Sequence, residues 1–272
     1  MKKKIAFQGE AGAYSEMAAI KIFPNSIIQP FKSFQEVFDS VSSQQSDYGV
    51  IPIENSLEGS VNENYDLLLK KEVKVIGEIF QKINHCLIVN KDYKEIQSVY
   101  SHPQALAQCR NYIYNKKWEA IPIYDTAGAV KTIKEKSLLN SAAIASKRAA
   151  FIYKMNILEE NIQDNKNNYT RFFIISKDID TDYTGNDRTS LIFSVKHEPG
   201  SLFSIIEEFA KRKINLTKIE SRPTKEIPWE YYFFVDFEGH IKNKVIFETL
   251  EIIRKKTQLF KILGSYKKDH LE

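Results

Sequence analysis

The sequence predicts an α/β protein in two parts: a larger part with parallel strands, then a small β-α-β-β-α-β unit of the ferredoxin-like kind. Three observations carry this. At 272 residues the chain is long for a single hydrophobic core. Up to Tyr153, short apolar runs alternate with amphipathic helical patterns across polar loops, which is how parallel sheets are built. Beyond a polar stretch from Ser176 to Arg188 the order becomes strand, helix, strand, strand, helix, strand, in fewer than about a hundred residues.

In chain order, Lys4 to Phe7 is a short strand. The loop Gly9 to Ser15 opens a helix from about Glu16 to Phe23. This loop lacks the third glycine of a dinucleotide fingerprint and the Gly-Lys-Ser/Thr of a P-loop, which argues against a nucleotide and leaves a carboxylate site open. Ser33 and Glu36 form a capping box ahead of a stripe of Phe34, Val37, Phe38 and Val41. Tyr48 to Ile53 is a buried strand that delivers Glu54-Asn55-Ser56 to a strand-end loop, where α/β proteins place ligands. Val61 to Leu69 is helix; Val73 to Phe80, His85 to Val89 and Val99-Tyr100 are strands. Pro103 suits the first turn of a helix capped near Ser101 or His102. Ile121 to Tyr124 is a strand, Asp125-Thr126 caps the next helix, Ala142 to Ala145 is a strand, and Ser146 caps a helix through Tyr153. In the second part, Thr189 to Val195, Asn215 to Ser221, Tyr231 to Glu238 and Leu259 to Tyr266 are strands. Helices run from Ser201 to about Lys211 and from Val245 to Arg254.

Composition excludes several classes. Hydrophobic residues make up 43% and aromatics 12%, enough for real cores. The net charge of +4 is small and the lysines are scattered, so no nucleic-acid face is expected. The apolar run after Met1-Lys2-Lys3-Lys4 stops at Gln8, and no run approaches the ~18 residues of a membrane span. A cytoplasmic chain with no membrane partner is expected. Cys86 and Cys109 have no CxxC spacing and read as buried thiols. The five histidines show no metal-ligand spacing. The aspartates at 178, 180, 182 and 187 resemble a calcium loop, but Tyr183 and Thr189 stand where glycine and glutamate are required. No metal or cofactor is implied, and residues 178–188 read as a linker.

What remains is a set of neutral polar groups at strand ends: Ser15, Asn55, Ser101, Thr126, Ser146 and Thr170, with the guanidinium of Arg171 beside the last. Taken singly, each is a cap or a surface residue. Together they describe a pocket of neutral donors and one cation, suited to a small, carboxylate-bearing, hydroxylated ligand.

Four segments, in order, resemble the monofunctional prephenate dehydratase family across nearly the whole chain. Gly9 to Ser15 is similar to its opening G-x-x-G-x-Y-S, with Ala13 where Thr or Ser is common. Ile53-Glu54-Asn55-Ser56-Leu57-Glu58-Gly59 matches I-E-N-S-x-x-G, Ser101-His102-Pro103-Gln104 matches S-H-P-Q with Gln108 following, and Asn168-Tyr169-Thr170-Arg171-Phe172 matches N-x-T-R-F. The C-terminal part resembles that family's regulatory ACT domain, with Gly200-Ser201-Leu202 at the G-A-L-L position and Glu220-Ser221-Arg222-Pro223 matching E-S-R-P.

The resemblance implies a two-lobed, type II periplasmic-binding-protein-like catalytic domain over 1–177, a linker over 178–188 and an ACT domain over 189–272. It implies decarboxylating dehydration of prephenate to phenylpyruvate, with phenylalanine as effector and a homodimer or dimer of dimers as the assembly. Thr170 is then the catalytic group, Arg171 pairs with a substrate carboxylate, and Asn55, Ser101, Gln108 and Thr126 position the rest. Gly200, Ser201, Leu202, Glu220, Ser221 and Arg222 form the phenylalanine site: Gly200 allows a tight turn that leaves the Ser201 and Leu202 N–H groups unpaired at a helix start, to hold the amino acid's carboxylate. Arogenate dehydratase, and a non-catalytic amino-acid sensor, are the alternatives.

Overall fold

The computed structural model describes residues 2–178, 180–224 and 228–270; Met1, Ile179 of the expected linker, and residues 225–227, 271 and 272 of the expected ACT domain lie outside that description. The chain divides into two compact units, Met1–Tyr65 with Ile79–Phe172, and Asp66–Glu78 with Phe173–Glu272.

The chain opens with β1 (Lys4–Gln8), α1 (Tyr14–Ile22), β2 (Ile27–Phe31), α2 (Phe34–Ser42), β3 (Tyr48–Asn55), the short β4 (Gly59–Ser60) and α3 (Asn62–Lys70). The capping box is present, Ser33 accepting from the Glu36 backbone and Glu36 from that of Ser33. Strands β1, β2 and β3 pair in parallel, as helical crossovers require. With β5 (Lys74–Lys82) and β11 (Tyr169–Ser176) they form a sheet ordered β2-β1-β3-β11-β5. β2 is not expected from the sequence, because Pro30 interrupts its apolar run at the sheet edge.

A second sheet is made by β6 (Cys86–Val89), β7 (Ser98–Ser101), β8 (Glu119–Pro122), β9 (Ser141–Ala145) and β10 (Asn156–Glu160), in the order β10-β6-β9-β7-β8. The helices α4 (Pro103–Gln108), α5 (Arg110–Lys116), α6 (Thr126–Glu135) and α7 (Lys147–Tyr153) connect β7 through β10. The expectation of parallel strands needs correction here. β7, β8 and β9 are parallel, but β6 runs antiparallel to both β9 and β10. β6 enters from the first sheet rather than through a crossover helix, so nothing forces its direction. The cores are small and alanine-rich, with Ala127, Ala129, Ala143, Ala145, Ala149 and Ala150 around Phe7 and Ile88. Cys86 and Cys109 are buried free thiols.

Two short segments carry the chain between these sheets: Ile83–His85 on the way out and 161–168 on the way back. They bond to each other, Ile83 N to Asn168 O at 2.9 Å and Ile162 N to His85 O at 3.1 Å. His85 N also donates to Gln163 Oε1 at 2.9 Å. The lobes meet again where Gly12 lies against α7. Gly12 has φ +97°, and a Cβ there would stand 2.6 Å from the Ala149 Cα. Ser146 Oγ donates to Gly12 O at 2.6 Å, and Arg148 Nε meets Glu16 Oε2 at 2.6 Å.

In the second unit, β12 (Asp187–Ser194), α8 (Ser201–Lys211), β13 (Leu216–Pro223), β14 (Tyr231–Glu238), α9 (Lys244–Lys256) and β15 (Leu259–Lys267) follow the β-α-β-β-α-β order. The antiparallel sheet runs β13-β14-β12-β15. Ile205 and Phe209 of α8 and Ile246, Leu250 and Ile253 of α9 pack on Leu191, Phe193, Val235 and Phe237, which alternate along β12 and β14. Asn243 caps α9 by accepting from the Val245 and Ile246 backbones. No helix among the described residues is long and apolar enough to cross a membrane.

Candidate active site

A cavity of about 490 Å³ opens in the first unit. Its wall includes Asn55, Gln108, Thr126 and Thr170, four of the six residues expected there, joined by Tyr14, Ser15, His85, His102 and Asp125. Strand ends and helix starts supply them: β3 ends at Asn55, β11 begins at Tyr169, and α1 and α6 begin at Tyr14 and Thr126. Helix α1 has no side-chain cap at Ala13, so its first-turn N–H groups are left for an anion. Asp125 caps α6 by accepting from Gly128 N at 2.7 Å, and burial raises its carboxyl pKa.

The polar side chains form one connected ladder. Asn55 Oδ1 accepts from the backbone N–H groups of Leu57 and Glu58, each at 3.0 Å. Its amide nitrogen therefore faces the other way, toward Asn168 Oδ1 at 2.8 Å, Thr170 Oγ1 at 3.0 Å and Tyr169 O at 3.1 Å. Asn168 Nδ2 donates to Gln108 Oε1 at 2.8 Å, and that oxygen lies 2.9 Å from His85 Nε2. Thr170 Oγ1 is thus an acceptor within the protein, and its own proton is available to the cavity.

Two expected residues stand elsewhere. Successive side chains on a strand point to opposite faces, so Thr170 and Phe172 line the cavity while Arg171 between them is buried and does not. Ser101 is fully buried, and its hydroxyl donates to Ile144 O at 2.6 Å. The described lining residues include no Lys or Arg, in place of the one cation expected, and they include the carboxylates Glu63 and Asp125. His102 caps α4 through Nδ1 and Gln104 N at 3.3 Å, and burial lowers its pKa. Sequence reasoning missed Asn168, His85 and Tyr14 as site residues.

In the second unit, Gly200 caps α8 with φ 85°, a left-handed conformation suited to glycine. The Ser201 N–H, expected to be unpaired, donates to Glu198 O at 3.2 Å. A pocket of about 100 Å³ beside this turn is lined by His197, Glu198, Ser201, Leu202, Tyr231 and Phe233. Glu220, Ser221 and Arg222 do not line it, because β14 stands between β13 and β12: Tyr232 pairs with both Ser194 and Arg222. Arg222 instead bonds Asp66 at 2.8 Å, and Glu220 meets Lys218 at 3.2 Å.

The prephenate dehydratase family model matches residues 5–180, and the ACT domain model matches residues 189–254. The chain belongs to the prephenate dehydratase family. Among the curated members it is 43% identical over 274 residues to the prephenate dehydratase of Methanocaldococcus jannaschii, covering 98% of each chain. The solved prephenate dehydratase from Arthrobacter aurescens, a complex with L-Phe, superposes with a TM-score of 0.90 at 28% identity, over 97% of this chain and 90% of that one. GqqA, described as a novel type of quorum quenching acylase, also gives 0.90, at 29% identity and 98% coverage of both chains. Dehydratase family membership and the shared fold make this chain a lyase, with its ACT domain at the C-terminal end.

Proposed function

We propose that the chain converts prephenate to phenylpyruvate, carbon dioxide and water, with Thr170 as the catalytic group. The observation that carries this reading is the direction of the Thr170 hydroxyl. Asn55, held by two backbone donors, gives Thr170 Oγ1 a hydrogen bond and so turns its proton toward the cavity. In the reaction the ring C–O bond breaks, the ring carboxylate leaves as carbon dioxide, and that C–C electron pair completes the aromatic ring. The departing hydroxide takes a proton to become water. A threonine hydroxyl is a poor acid near pH 7, so Thr170 hydrogen-bonds the leaving oxygen as negative charge develops there, and solvent balances the proton.

The substrate is a dianion, and in this cavity a carboxylate is received at the uncapped first turn of α1 beside Ser15, with the Thr126 hydroxyl as a further donor. Asn55, Gln108 and Thr126 fix its orientation. Arg171 and Ser101 act behind the wall, on the strands that present it. The activity named for GqqA calls for a nucleophile beside a general base; Thr170 has an amide donor beside it instead.

A second substrate reading has an observation of its own. Arogenate carries an ammonium in place of the keto oxygen, and Glu63 and Asp125 are carboxylates on a wall whose described residues include no Lys or Arg. Purified chain is incubated with each compound while phenylpyruvate and phenylalanine are followed. Phenylpyruvate from prephenate supports the main reading, phenylalanine from arogenate alone supports the second, and neither product sinks both.

Residues 1–177 are the catalytic domain in this reading, 178–188 the linker and 189–272 the regulatory domain, and the enzyme works in the cytoplasm. Phenylalanine binds at the Gly200 turn, with Ser201 and Leu202. The pocket of about 100 Å³ there falls short of the ~300 Å³ at which small-molecule sites begin, so a second copy supplies the other wall. Strand β13 stands at the end of the sheet order among the described residues, with Ile219 46% exposed. Pairing along it in a homodimer, or a dimer of dimers, brings Glu220, Ser221 and Arg222 to the shared boundary.

A further inference from the structure

We propose that His85 is a positioning residue for Thr170, acting through a ladder of side-chain amides that can run in only one direction. The inference rests on the role given to Thr170 above. It begins at two backbone donors. The N–H groups of Leu57 and Glu58 can only donate, so the atom of Asn55 that meets them is oxygen. Asn55 then presents its NH₂ to Asn168, which must answer with oxygen. Asn168 in turn presents NH₂ to Gln108, which must also answer with oxygen. That same Gln108 oxygen lies 2.9 Å from His85 Nε2. Two lone pairs facing each other across that distance repel, so Nε2 carries the proton. One choice made by the backbone at residues 57 and 58 thereby sets the tautomer of a ring four hydrogen bonds away.

The far end is held with equal care. His85 is 2% exposed, and its backbone N–H is tied to Gln163. The Tyr14 ring meets it edge-on at 5.7 Å and 81°. The Tyr14 hydroxyl stands 2.6 Å from Asn84 O and 3.2 Å from His85 Nδ1, and with the imidazole proton on Nε2 both are acceptors that share the phenol proton. Burial lowers the His85 pKa and raises that of Tyr14, so a neutral imidazole beside a neutral phenol is the resting state. With Nε2–H donating, Gln108 cannot rotate its amide, Asn168 stays in register, and Asn55 keeps its nitrogen on Thr170. Without that donor, the Asn168 NH₂ alone holds the Gln108 oxygen, and the far end of the ladder loses one of its two restraints.

Two measurements on the full chain test this. In a long-range ¹H–¹⁵N spectrum near pH 7, the His85 proton is expected on Nε2; finding it on Nδ1 overturns the proposal. In steady-state turnover of prephenate, His85→Leu is expected to lower kcat on the order of 10²-fold, the scale of a small misplacement at a reacting centre, with a smaller change in KM. His85→Gln, whose amide nitrogen can reach the position of Nε2, is expected to recover most of that loss. Equal rates for the two variants at matched thermal stability overturn the proposal. Failure of the Thr170 reading looks different: Thr170→Val then turns over like the parent, while the spectrum still reports the ladder.

Discussion

Thr170→Val separates the role of a hydroxyl from the role of a shape. Valine keeps the β-branch and the volume, and removes only the oxygen. In the folded chain the Asn55 NH₂ has two protons and three acceptors: Asn168 Oδ1, Tyr169 O and Thr170 Oγ1. Taking Oγ1 away leaves two acceptors for two protons, so no buried donor is orphaned, and the stability change stays within about 1 kcal/mol. The effect on rate is of another size. Losing a positioned donor costs on the order of 10²–10⁴ in kcat, or roughly 3–5 kcal/mol of barrier. The assay pairs initial rates of phenylpyruvate formation with a denaturant midpoint for each of Thr170→Val, Thr170→Ser and the parent. Serine is expected to retain part of the activity. A valine variant with more than about a tenth of the parent rate, or one whose loss of rate is matched by a loss of stability, would refute the assignment.

Gly12→Ala forces a side chain into a left-handed turn at φ +97°, 2.6 Å from the Ala149 Cα; it should cost about 2 kcal/mol or more in chemical unfolding, and an unchanged midpoint contradicts the close approach. Gly200→Val, at φ 85°, should abolish the response of turnover to phenylalanine while leaving basal turnover intact; inhibition that survives places the effector elsewhere. Stability should also fall with acid, because burial holds the His85 pKa below its ordinary value. The unfolded chain takes up a proton near pH 6.5 that the folded chain refuses, so the contribution is full above about pH 6.5 and is lost as pH falls from there toward the folded pKa. Thermal midpoints between about pH 7 and pH 5.5 should drop less steeply in His85→Gln; equal slopes would remove His85 from the account.

Much of the fold is legible because helix starts announce themselves. Ser33 with Glu36, Asp125, Ser146 and Pro103 each mark a boundary through local chemistry. Edge strands do not. β2 contains Pro30 and β10 ends in two glutamates, since half of an edge strand faces water and carries no apolar signature. At the site, Asn55, Gln108 and Thr170 are readable from their motifs, and Thr126 from its place at a strand end ahead of a helix. Arg171 misleads because its neighbour is functional and its charge is conspicuous, yet strand alternation turns it to the other face. Ser101 misleads because a hydroxyl at a strand end reads as a donor to a ligand, whereas a backbone carbonyl takes it. Asn168 stands in the N-x-T-R-F segment, but its part in the site, like that of His85, is found only in three dimensions. Their partners lie 23 and 60 residues away in the chain, and no spacing rule spans such separations.

The two segments that pass between the sheets of the first unit have a consequence for how the enzyme cycles. His85 sits on the outgoing segment and Asn168 on the returning one, and the two are bonded through Ile83 and Ile162. Any widening of the cleft must bend these segments, since they are the covalent route from one lobe to the other. The same bend pulls Asn168 and His85 away from Gln108 on α4. Admission of substrate and alignment of the ladder are therefore coupled through these two segments.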